Sequence, residues 1–295
     1  MSAGLETLNV RQLVALSDGE IALRRFGRQG APPFLFAHAN GFCASAYRRV
    51  FEAMGDRYDI HAVDLRGHGR SRLPVDPANH SSMDVYGRDV AALLDVLNAS
   101  SPARAPWTLA GHSLGAVAVT LAAAGRKDVA ALRLIEPVAM PRWFSFAAKT
   151  PFWILFAQRL PLAKGARARR AHFPDRASVH RRYATKSLFA GWADGVLDDY
   201  LEDGLYETDG GVALSCAPAW EAATFSGHAQ DFWGAVKSAP APISVLVASH
   251  PSTTVRPFAL KRLENAGAHV VRADGLTHLV PMENPALAAQ FLLEG

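Results

Sequence analysis

Short apolar runs and helical stripes alternate along the first half of the chain. Residues 5–15 and 20–26 flank Ser17-Asp18-Gly19, a turn signal of the Asp-Gly kind, and predict two paired strands. Phe34-Leu35-Phe36-Ala37 is apolar without interruption after Pro32-Pro33, the pattern of a strand covered on both faces. Residues 46–54 predict a helix and 59–63 a strand. In 83–98 Val85, Val90, Leu93, Leu94 and Leu97 recur at helical spacing. An apolar run at 107–110, a small-residue helix over 114–124 and a strand at 132–135 follow. The alternation resumes with a strand at 243–248, a helix at 257–266, a strand at 268–273 and a helix at 285–294. The fold class is therefore α/β, with a mostly parallel, doubly wound sheet covered by helices on both faces.

Between these halves the alternation stops. Residues 137–240 read as helical and hold five of the six tryptophans and eight of the fifteen phenylalanines. We read this stretch as an inserted helical cap, leaving 1–136 and 241–295 as the core. No internal repeat or low-complexity tract interrupts either part.

Composition adds bounds. With 49% apolar and 20% charged residues, 295 residues suffice for one α/β domain with an insertion. A net charge of +4 gives no case for nucleic acid. The basic stretch from Lys164 to Lys186 reads as a solvated helical face, with a patch for acidic partners as the alternative. Cys43 and Cys216 make no disulfide framework and read as free thiols in a reducing compartment. The first sixteen residues lack the pattern of a signal peptide, and no apolar run is long enough to span a bilayer, so a cytoplasmic location is expected.

The chemistry concentrates at Gly111-His112-Ser113-Leu114-Gly115, which has the G-x-S-x-G form of a serine on a sharp strand-to-helix turn. A serine hydroxyl near neutral pH needs a base, a group orienting that base, and donors for the developing oxyanion. Of eleven histidines, His278 stands in a loop after the last strand and before the last helix, at the C-terminal edge of the expected sheet. It is the candidate base. His172, His180, His228 and His250 show no metal-ligand spacing, and neither a metal nor a cofactor is expected.

Four pieces in this order resemble the α/β-hydrolase superfamily: His38-Ala39-Asn40-Gly41-Phe42, Asp64-Leu65-Arg66-Gly67-His68-Gly69-Arg70-Ser71, the Gly111–Gly115 turn and the His278 loop. The resemblance implies an oxyanion hole from two backbone N–H groups, at Leu114 and in the first loop. The second is carried onto Asn40, third in a His-Gly-x motif where this chain has Ala39, with Gly41 as the alternative. Most members carry the acid in the loop after the strand that follows the cap. Here that loop, 249–257, contains no carboxylate. A minority place it at the end of the strand after the nucleophile helix, where this chain has Glu136. Asp274 precedes the His278 loop and Asp64 belongs to a structural loop motif, so neither is preferred. His38, His68 and His112 read as structural, and Cys43 as a small apolar residue.

The expected activity is a carboxylic ester hydrolase with Ser113, His278 and Glu136 as triad. Phe42, Trp143, Phe144 and Trp153 are the candidate lining of an apolar acyl or aryl pocket, with cap-to-core packing as the alternative for the cap aromatics, Phe146, Phe152 and Phe156 included. Glu221 reads as a surface residue, with a pocket-facing position as the alternative. Lactonase, thioesterase, amidase and C–C bond hydrolase activities stay open. Serine at 113 argues against the dehalogenase and epoxide hydrolase chemistries, which the resemblance associates with aspartate there. A non-catalytic small-ligand receptor is the reading from another class. The partner is a small-molecule ester; the oligomeric state is not legible.

Overall fold

The computed structural model describes residues 10–101, 105–150, 152–157, 159–250 and 253–295. Residues 5–9 of the first expected strand, and Pro251 and Ser252 of the loop without a carboxylate, lie outside them.

The chain opens with the hairpin β1 (Val10–Leu16) and β2 (Gly19–Gly27), followed by β3 (Pro33–Ala37). Next come α1 (Arg48–Met54), β4 (Asp59–Asp64), α2 (Asp84–Ala99), β5 (Trp107–His112), α3 (Leu114–Ala123) and β6 (Val129–Ile135). The segment between β6 and the next sheet strand carries α4 (Arg142–Ala148), α5 (Trp153–Ala157), α6 (Pro161–Arg167), β7 (His172–Phe173) and α7 (Arg176–Ala184). It continues through α8 (Val196–Gly204), β8 (Leu205–Thr208), β9 (Gly211–Leu214), α9 (Pro218–Ser226) and α10 (Phe232–Ser238). Finally β10 (Ile243–Ala248), α11 (Pro257–Asn265), β11 (His269–Ala273), α12 (Val280–Glu283) and α13 (Pro285–Glu294) complete the chain.

The main sheet has eight strands in the order β1-β2-β4-β3-β5-β6-β10-β11. The two pairings β1–β2 and β2–β4 are antiparallel and the other five parallel. Alternate residues of one strand enter different cores, which is why the inner strands read as unbroken apolar runs. Leu35 and Ala37 of β3 join the core with α2 and α3, while Phe34 and Phe36 join the core with α1 and α13. Likewise Val245 and Val247 of β10 face one way, Leu246 and Ala248 the other. The winding reverses at β3, which lies between β4 and β5. The crevice beyond the C-terminal ends of β3 and β5 is the switch point where such sheets hold their ligands.

The inserted segment is not helical throughout. β7, β9 and β8 form a three-stranded antiparallel sheet, with Phe173, Leu205, Val212 and Leu214 buried against the α1 side of the core. The hairpin turns at Asp209-Gly210, the same kind of signal as Asp18-Gly19. Among the described residues no helix is long and apolar enough to cross a membrane.

Candidate active site

The turn after β5 is tight because two glycines allow it. A Cβ on Gly115 would lie 2.0 Å from the carbonyl oxygen of Ala37, and one on Gly111 would lie 2.3 Å from the carbonyl carbon of Gly115. Helix α3 therefore packs directly on the ends of β3 and β5. Ser113 between them has φ 55°, and Glu136 after β6 has φ 47°; they are the two non-glycine residues with positive φ among those described. Such a conformation costs on the order of 1–3 kcal/mol and persists only where the surroundings hold it. Here the Ser113 N–H donates to Ile135 O (2.9 Å), and the Glu136 N–H to Leu246 O (2.9 Å). Leu114 opens α3, whose first N–H groups lack intrahelical acceptors and present the positive end of the helix dipole.

Glu136 is fully buried, and among the described residues every hydrogen-bond partner of its carboxylate is a donor. Oε1 accepts from the Ala248 N–H (2.7 Å) and the Thr253 hydroxyl (2.6 Å). Oε2 accepts from the Thr254 N–H (2.9 Å) and from His278 Nδ1 (2.9 Å). Burial works to raise the Glu136 pKa, but the His278 contact, the Thr253 hydroxyl and the Ala248 N–H outweigh it, and the carboxyl sits below its ordinary range. The loop after β10, which has no carboxylate of its own, thus supplies the donors that hold one from β6. With its Nδ1–H directed at the carboxylate, the neutral imidazole is the tautomer whose Nε2 carries a lone pair and not a proton.

A second chain of hydrogen bonds ties the loops together. The Ala39 N–H donates to the Tyr47 hydroxyl (3.0 Å), which donates to His112 Nδ1 (2.7 Å). His112 Nε2–H in turn donates to the carbonyl of His278 (2.8 Å). That carbonyl can only accept, so the His112 ring is a neutral Nε2–H tautomer; burial and the neighbouring His278 push its pKa down to about 3. His112 thereby joins the β3 loop, the serine turn and the His278 loop. Thr277 completes the last of these, its N–H and hydroxyl both donating to Glu283. Tyr47→Phe leaves a buried N–H and an imidazole nitrogen without partners. It is expected to lower the unfolding free energy in urea by about 1–3 kcal/mol. An unchanged value would show that the hydroxyl carries none of this network.

The β3 loop separates its two candidate donors. The Gly41 N–H is engaged by His68 Nε2 (3.0 Å), whose Nδ1–H donates to Arg66 O (2.9 Å). The Asn40 N–H has no acceptor among the described residues, and Asn40 itself is buried with its amide donating to Glu221 O (3.1 Å). His38 is held between Ala39 O and the Leu65 N–H. Asp64 is committed to the N–H groups of Ala44 (2.7 Å) and Arg70 (2.9 Å). Burial raises the Cys43 thiol pKa, which keeps the sulfur protonated.

Glu221 is not on the surface as expected. It is 6% exposed and paired with Arg169, which also donates to the hydroxyls of Tyr183 (3.1 Å) and Tyr200 (3.3 Å). Tyr200 OH reaches Gly41 O (3.2 Å), so this buried pair sits directly on the β3 loop. The sequence offered a pocket-facing position only as the alternative to the surface.

The candidate aromatic residues fall into two groups. The Phe42 ring lies 6.5 Å from His112, 5.8 Å from Trp192 and 5.5 Å from Tyr200. Trp192 and Tyr200 were not among the expected residues, and the buried Trp192 indole N–H has no hydrogen-bond partner among the described residues. Phe144 and Trp153 instead pack on each other (4.7 Å) in a separate cluster with Ala148 and Ala157, and Trp143 lies on the surface. None of these three has a ring contact with Phe42, His112 or Trp192 among the described residues. No group of His, Cys, Asp and Glu able to hold a metal occurs among the described residues.

Comparison with known proteins agrees with this architecture. The curated 3-oxoadipate enol-lactonase 2 of Acinetobacter baylyi is 29% identical over 93 residues, 32% of this chain and 34% of that protein. The epoxide hydrolase of Caballeronia sordidicola is 36% identical over 102 residues, 34% of this chain and 29% of that protein. Each match thus spans about a third of the relative's length. The crystal structure of E-2-(acetamidomethylene)succinate hydrolase shares the fold at a TM-score of 0.76 and 23% identity, covering 96% of this chain and 97% of that one. The family model described as the alpha/beta hydrolase family matches residues 34–291, and this chain belongs to that family.

Proposed function

We propose that the protein is a serine hydrolase that cleaves a carboxylic ester through an acyl-enzyme on Ser113. His278 Nε2 takes the hydroxyl proton as Ser113 attacks the carbonyl, and returns it to the leaving alcohol. A water activated by the same imidazole then releases the acid. Glu136 holds the ring by Nδ1 and stabilises the imidazolium without taking its proton. The N–H groups of Leu114 and Asn40 receive the oxyanion, each such donor contributing on the order of 100- to 1000-fold in rate. Residues 137–240 act as the cap, and Phe42, Trp192 and Tyr200 form an aromatic wall for the acyl or aryl group. The observation that carries this reading is the 2.9 Å contact from His278 Nδ1 to the buried Glu136, because a structural histidine loop has no need of a buried anion.

Lactone or thioester cleavage would use the same groups, since either passes through the same acyl-serine. The lactonase among the relatives makes the lactone the second reading. Aspartate-based epoxide opening is disfavoured by Ser113. The test is a panel of p-nitrophenyl esters of rising acyl length and one aryl ester, with a lactone and a thioester alongside. The expected result is a pre-steady-state burst of nitrophenol and a preference for apolar or aryl acyl groups over acetate. Absence of turnover across the panel, with retained binding of the same esters, would instead support a ligand receptor.

A further inference from the structure

We propose that the outer face of residues 142–167 is a docking surface for an anionic lipid bilayer. Four of the five exposed Trp and Phe side chains among the described residues fall in this stretch: Trp143, Phe146, Phe152 and Phe156, from 55% to 78% exposed. Leu162, at 65%, adjoins them. Trp143 and Phe156 stand at the two ends of one run of ring contacts that passes through Phe144 and Trp153, at 5.3, 4.7 and 5.6 Å. In α5 the pair Trp153 and Ala157 turns inward onto Phe144 and Leu160, while Phe156, and Phe152 in the turn just before the helix, are exposed. Trp143 lies against Phe144 with ring centroids 5.3 Å apart. Single exposed apolar residues need no explanation, but this concentration of exposed rings on two adjoining short helices points to an interaction site.

Charge identifies the partner. Residues 137–174 contain seven Lys and Arg and no Asp or Glu, whereas the rest of the chain has three more acids than bases. Arg169 turns inward to Glu221, but Arg142, Lys149, Lys164 and Arg167 of the same stretch are exposed, with Lys149 Nζ 6.0 Å from the Phe146 centroid. A second copy of the chain meeting this face across a two-fold axis would oppose cation to cation. Phosphate headgroups with acyl chains beneath them complement both the charge and the rings. Since none of the described helices can cross a bilayer, attachment is peripheral and reversible.

The test is flotation of the full chain with phosphatidylcholine vesicles and with phosphatidylcholine vesicles enriched in phosphatidylglycerol. Wild type is expected to float only with the anionic vesicles and to release as salt rises. A blue shift of tryptophan emission should accompany binding, reporting the exposed Trp143. Lys149→Gln/Lys164→Gln is expected to weaken partition on the order of 30-fold, and Phe152→Ser/Phe156→Ser to abolish flotation. Both change exposed side chains, and circular dichroism melts near wild type would show the fold intact. Equal flotation with both vesicles, flotation with neither, or a wild-type dimer split by Phe152→Ser/Phe156→Ser would each overturn the proposal.

Discussion

Ser113→Ala is expected to remove turnover of any ester the protein accepts, with kcat lower by about a millionfold. Labelling by a fluorophosphonate probe should disappear with it. The fold should survive, because what holds residue 113 is its backbone: its N–H on Ile135 O and its carbonyl accepting from the Val117 N–H at 3.3 Å. Alanine tolerates φ 55° no worse than serine does. A thermal midpoint close to wild type together with lost labelling would separate chemistry from folding. A wild-type protein that fails to label would move the reading toward the receptor.

The sheet was legible because burial on both faces leaves a one-dimensional trace. Phe34-Leu35-Phe36-Ala37 can be uninterrupted only if two cores share it, and they do. Gly111 and Gly115 were legible because close approach of α3 excludes a Cβ at both. The β8–β9 hairpin was missed although Asp209-Gly210 announces it, since the surrounding aromatic-rich helices dominated the reading of that stretch. The cap aromatics could not be sorted from sequence. Which ring faces the site depends on how short helices meet, and spacing cannot distinguish Trp192 beside Phe42 from Trp153 beside Phe144. The same holds for Tyr47, whose hydroxyl acts between the Ala39 N–H and the His112 ring, groups that only folding brings together. Glu136 was approached through an empty position in the 249–257 loop. The structure adds why that loop can do without an acid: Thr253 and Thr254 are donors to Glu136.

That donor-only shell makes Glu136→Gln the other large effect. The carboxylate accepts from the Ala248 N–H, the Thr253 hydroxyl, the Thr254 N–H and His278 Nδ1, so an amide group must point at a donor whichever way it is turned. The Thr253 hydroxyl can rotate, but the Ala248 N–H cannot, and placing the amide there strands a buried backbone donor. Placed toward His278, the amide donates to Nδ1 and drives the ring proton to Nε2, the tautomer that cannot accept from Ser113. The expected outcome is a loss of kcat of roughly 10,000-fold, with unfolding free energy lower by about 1–3 kcal/mol from the stranded Ala248 or Thr254 N–H. The stability difference has a pH signature. Because folding lowers the Glu136 pKa, its contribution is fully present above the carboxyl value of the unfolded chain and is lost as pH falls through the lower folded value. Wild type and Glu136→Gln should therefore converge in stability on acidification and differ most near neutrality. Thr253→Val is the control, removing one donor to Oε1 while leaving His278 Nδ1 in place, and should retain most of the turnover. Near-wild-type kcat in Glu136→Gln would take Glu136 out of the triad. A loss of kcat restored by Glu136→Asp would instead confirm that a carboxylate on Nδ1 is what the imidazole requires.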